Sequence, residues 1–106
     1  MPKYMIEASY TQQGVEGLRS KGGSSRRDAV GDMISGAGGK MEAFYFAFGK
    51  GDVYVIADLP DNEAAAAIAM SVNASGGVTA KTVVLLTAEE VDQAAKRSVD
   101  YRPPGS

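Results

Sequence analysis

The sequence contains no cysteine, no histidine and no tryptophan. The first two absences exclude disulfides, thiol nucleophiles, Ser-His triads and zinc sites with nitrogen or sulfur ligands. Any acid–base chemistry falls to a carboxylate, a tyrosine, a lysine or a bound water. A basic excess is missing as well. Lys and Arg number 11 against 13 Asp and Glu, a net charge of -2, and the pI is near 5.0. Domains built for nucleic acid or an anionic membrane normally carry such an excess, so neither is expected as a partner. No apolar run approaches the roughly 18 residues of a membrane span. Met1-Pro2-Lys3-Tyr4-Met5 lacks the apolar core of a secretion signal, and a cytoplasmic protein is expected.

What is present suits a single small domain. The chain has 106 residues, 44% hydrophobic and 23% charged, which is ordinary for a globular protein and argues against disorder. Area scaling gives a folded surface of about 5,600 Å² against about 16,000 Å² unfolded, so roughly 65% is buried and one modest core is possible. Residues 1–98 are read as the domain and 99–106, with Pro103 and Pro104, as an extended tail.

Lys3 to Tyr10 alternates as a strand, with Tyr4, Ile6 and Ala8 on one face and Met5, Glu7 and Ser9 on the other. Thr11 is placed to cap a short helix from Gln12 to Lys21, with Val15 and Leu18 on its buried side. Gly22-Gly23 breaks it. Ser24 or Ser25 starts a second helix, with Asp28 in its first turn and Val30, Met33, Ile34 and Ala37 as a core-facing stripe. A strand from Lys40 to Phe48 and another from Val53 to Leu59 flank the hairpin signal Gly49-Lys50-Gly51-Asp52. Pro60-Asp61-Asn62 caps a helix over Glu63 to Ala74, anchored by Ile68 and Val72. Val78 to Leu86 is the fourth strand. Thr87 and Glu90 then form a capping box for a last helix, Ala88 to about Arg97.

This order predicts an α+β fold, a ferredoxin-like β-α-β-β-α-β sandwich with an antiparallel sheet covered by helices on one face. With Tyr4, Ile6, Ala8, Val53, Val55, Ala57, Val84 and Leu86 toward the helices, the other face carries Met5, Glu7, Ser9, Tyr54, Ile56, Asp58, Lys81, Val83 and Leu85. The register of the second strand leaves Phe44, Phe46 and Phe48 assignable to that face as well. Such a face is too apolar to stand in water, and self-association is the simplest remedy.

The stretch from Phe46 to Asp61 resembles the signature of the GYD domain family. Lys40 to Tyr45, Gly22 to Arg27 and Val72 to Gly77 are similar to the family too, so the resemblance covers most of residues 3–97. Gly49 and Asp52 match its naming motif, while Gly51 stands where the family usually has Tyr. The resemblance implies the dimeric α/β-barrel type, in which ferredoxin-like units pair sheet to sheet. It implies no assigned activity, and relatives in the wider group include cofactor-free monooxygenases, heme-handling enzymes and simple ligand binders.

Glu7, Tyr54 and Lys81 come from three strands of the open face and are the first candidate ligand-binding set. The bland alternative is a satisfied polar network or an interface salt bridge. Arg26 and Arg27, at a helix start after Gly22-Gly23-Ser24-Ser25, are the second, suited to a carboxylate or phosphate. Local pairing with Asp28 is the alternative there. Glu42, Asp52, Asp58 and Asp61 have no EF-hand spacing, so no metal site is expected. Stacking of an aromatic ligand on the Phe residues competes with core or dimer packing, which is favoured. Heme would need an axial Tyr or Met.

The leading expectation is a homo-oligomeric ligand-binding or accessory protein without metal or organic cofactor, holding a small molecule on the open sheet face. One rival is a cofactor-independent oxygenase or isomerase, with Glu7 as base and Tyr54 or Lys81 steadying the developing anion. Another is a purely structural assembly unit. No catalytic residue is assigned.

Overall fold

In β1 (Lys3–Tyr10) the predicted alternation is realised: Tyr4, Ile6 and Ala8 are buried while Met5, Glu7 and Ser9 on the opposite face are half-buried. The computed structural model describes residues 1–105. After β1 come α1 (Gln12–Lys21), α2 (Gly23–Gly36), β2 (Lys40–Phe46), β3 (Val53–Asp58), α3 (Asn62–Ala74), β4 (Val78–Leu85) and α4 (Ala88–Ala95). The sheet order is β2-β3-β1-β4, with every neighbouring pair antiparallel. This is the expected α+β, ferredoxin-like arrangement.

The core lies between the sheet and α2 and α3. Tyr4, Ile6, Ala8, Val53, Val55, Ala57 and Val78 from the strands meet Val30 and Ile34 of α2 and Ala65 and Ile68 of α3. The α2 stripe is as read from its spacing, with Met33 and Ala37 packed at the edge of the core. Tyr4 is the one core side chain with a polar end, and its hydroxyl donates to Asn62 Oδ1 at 2.6 Å, so its burial strands no polar group.

Three local details differ from the sequence reading. First, α2 begins at Gly23 without a side-chain cap, directly after Gly22. Gly22 has φ +86°, so the chain turns from α1 into α2 through one left-handed residue that glycine adopts at no steric cost. Neither Ser24 nor Ser25 is the cap, and Asp28 lies past the first turn. Second, α1 buries none of its residues, and Val15 is exposed.

The third concerns β2. Its register against β3 shifts between Met41 and Ala43, leaving Glu42 as the extra residue of a bulge. The alternation therefore changes phase at that point. Phe44 and Phe46 pair with Val55 and Val53 and so face the helices, not the open face. Their rings meet edge-to-face with centroids 5.1 Å apart. Phe48 lies beyond the strand and is fully exposed.

Beyond Leu85 the chain leaves the body of the fold. The capping box at α4 forms as read, Thr87 Oγ1 accepting from the Glu90 N–H and Glu90 Oε1 from the Thr87 N–H. Yet α4 buries no residue, and no regular element follows it through Gly105. The radius of gyration is 16.7 Å, against about 13 Å for a compact chain of this length.

Candidate functional site

The open face is built from rows of paired residues. Glu7 on β1 is opposite Tyr54 of β3 on one side and Lys81 of β4 on the other, so the three predicted residues do come together in one row. Side chains directly opposed in this way have Cβ atoms about 4.5–5.5 Å apart. Glu7 and Tyr54 are half-buried and Lys81 is exposed. Glu7 and Lys81 form no ion pair of 4.0 Å or less among the described residues. The next row is apolar, with Met5 between Ile56 and Val83. In the row after it, Lys3 Nζ donates to Asp58 Oδ1 at 2.9 Å and to Glu42 Oε2 at 3.0 Å. These bonds raise the Lys3 pKa above its ordinary value, the one to Asp58 most.

Gly51 completes this region from the β2–β3 hairpin. It is buried, and a Cβ on it would lie 2.9 Å from both the Tyr54 hydroxyl oxygen and Glu7 Cγ. The Tyr54 hydroxyl fills the space where a side chain at position 51 would begin. The sequence marks the departure but not the closeness of Gly51 to Tyr54 and Glu7.

The four carboxylates weighed as metal ligands each have a structural partner. Glu42 and Asp58 share Lys3, Asp61 Oδ1 caps α3 by accepting from the Ala64 N–H at 2.8 Å, and Asp52 Oδ2 accepts from the Tyr10 N–H at 2.8 Å. Of the two predicted arginines, Arg27 is exposed and paired with Asp28 at 3.3 Å, the local pairing that the sequence allows. Arg26 is half-buried and belongs to a different surroundings.

That surroundings is on the helix side, at the end of β1. A cleft of about 440 Å³ opens between α1, α2 and the turn before β4, and a smaller apolar pocket of about 40 Å³ adjoins it, between the sheet, α2 and α3. Tyr10, Arg26 and Val78 border both. A third concavity, about 360 Å³, lies between α1 and the Phe46–Phe48 segment, and Tyr10 borders it too. Burial raises the Tyr10 pKa above its ordinary 10.0, and the nearby Arg26 guanidinium opposes the rise. Tyr10 is the functional candidate that sequence reasoning missed. Its parity with Tyr4, Ile6 and Ala8 assigns it to the helix face, but nothing local announces a cleft there.

The arrangement thus provides two kinds of surface: a flat face with a polar row in apolar surroundings, and a concave helix-side site with one half-buried guanidinium. Residues 4–95 match the family model described as GYD domain. No curated protein matches the chain.

Proposed function

The chain belongs to the GYD domain family, and from that premise we propose that it is a small homo-oligomeric protein of the cytoplasm that binds a small organic ligand on its open sheet face. A second copy, packed sheet to sheet, covers that face and closes the pocket. The observation that carries this reading is the row Tyr54–Glu7–Lys81, set beside Met5, Ile56 and Val83 on the sheet face opposite the one that packs on α2 and α3. Apolar walls with a few convergent polar groups are the usual make-up of a ligand pocket. Glu7 and Lys81, with no ion pair between them in the single chain, are available to a ligand's polar groups. The Tyr54 hydroxyl and Glu7 both lie close to Gly51, so the two polar side chains share one end of the row.

The test is native mass spectrometry of protein purified without denaturation. The expected result is a multiple of the 11.0 kDa chain carrying a small organic molecule, and loss of that molecule in a Glu7→Gln, Lys81→Met double variant that still assembles. A ligand-free monomer contradicts the reading, as does undiminished retention in the double variant.

A further inference from the structure

We propose that the helix-side cleft beside Arg26 is a separate binding site for a small organic acid with an apolar body. It uses none of the open-face residues and holds whether or not the sheet pairs with a second copy.

Charge is the first ground. The chain is net acidic, yet the cleft is bordered by two cations, Arg26 and Lys21, and by no carboxylate. Arg26 is half-buried and has no carboxylate within 4.0 Å among the described residues. A partly desolvated guanidinium without an acid gains most from an anion that accepts its forked donors. Tyr10 borders the same cleft, and its phenol hydroxyl, protonated at neutral pH like any tyrosine's, can donate to the same anion.

Shape is the second ground. The cleft holds about 440 Å³, within the usual range for a small-molecule site. Beside Arg26 the apolar pocket of about 40 Å³ is walled by Val30, Met33, Phe44, Ile68 and Val72. Such a space admits the end of a hydrocarbon chain or the edge of a ring, and offers water few partners. An acidic head on Arg26 with an apolar body directed inward satisfies both halves. Inorganic phosphate satisfies only the first, and a neutral hydrocarbon only the second.

Titration calorimetry with octanoate, octanol and inorganic phosphate tests this. Octanoate is expected to bind, with octanol and phosphate each weaker by at least about tenfold, the scale of one charge-assisted pair or a few buried methylenes. Arg26→Gln lowers octanoate affinity by at least about tenfold and leaves the fold unchanged by circular dichroism, while Arg26→Lys restores part of it. Gly17 borders the cleft and a Cβ there meets nothing within 4 Å, so Gly17→Leu is tolerated at its first atom and is expected to weaken octanoate binding by crowding the cleft. The proposal is overturned if octanoate does not bind, if octanol or phosphate binds as tightly, or if Arg26→Gln binds octanoate as well as the parent.

Discussion

Gly14 and Gly17 both weaken α1 by propensity, and only their surroundings separate them. A Cβ at Gly14 would lie 2.0 Å from the Gly77 carbonyl oxygen, a backbone atom that cannot step aside, whereas one at Gly17 meets nothing. Gly14→Ala is therefore expected to cost about 1–3 kcal/mol despite the better helix former. Gly17→Ala is expected to gain about 0.5–1 kcal/mol. Urea melts of the two variants check both signs. Tyr10 and Lys3 give a pH prediction at the same scale. Both have folded-state pKa values above their unfolded values of 10.0 and 10.5. Each contribution is fully present below the unfolded value and is lost as pH rises through the folded one. Stability is expected to be flat near neutrality on this account and to fall above about pH 10. The fall should be shallower in Tyr10→Phe, as read from denaturant midpoints across alkaline pH. The alternation of β1 was legible because Tyr4, Ile6 and Ala8 differ plainly from Lys3, Glu7 and Ser9. The close approaches at Gly14 and Gly51 were not, since each depends on a residue far along the chain.

Elements were the most legible scale, and their exceptions have identifiable causes. Thr11, Asp61 and the Thr87–Glu90 box announce α1, α3 and α4, and all three caps form. The β2 face was lost to the bulge at Glu42: Lys40-Met41-Glu42-Ala43-Phe44 reads equally well in either phase, and only pairing with β3 fixes it. Caps that look alike in sequence also differ in consequence. Asp61 starts a helix that places Ala65 and Ile68 in the core, so Asp61→Ala is expected to lower global stability by about 1 kcal/mol. Thr87 starts a helix that buries nothing. Thr87→Ala should reduce helical signal while leaving the global unfolding midpoint within about 0.5 kcal/mol of the parent. Circular dichroism paired with a chemical melt separates the two.

The accessible surface of the whole molecule is 7,396 Å², well above the roughly 5,600 Å² expected of a compact chain of this mass. The excess has a visible origin in α4 and the residues after it, where Val91, Val99 and Tyr101 are exposed at 51%, 81% and 69%. The open sheet face adds Tyr45 and Val83 to the exposed apolar surface. A standard interface covers about 800 Å² on each partner. The proposed interface rests on a feature legible in the sequence, the apolar residues left over on the sheet once one face is given to the helices. The helix-side cleft was not legible, since Tyr10, Lys21, Arg26 and Val78 meet only when α1 and α2 fold back over the end of β1. Light scattering on the parent chain and on Val83→Arg tests the central claim most directly. Val83 is 45% exposed in the single chain, so the arginine fits a monomer but places an unpaired charge in a sheet-to-sheet interface. The parent is expected at two or more times the 11.0 kDa chain mass, and the folded variant at the monomer mass. A parent that scatters as a monomer, or a variant that assembles as the parent does, contradicts the account.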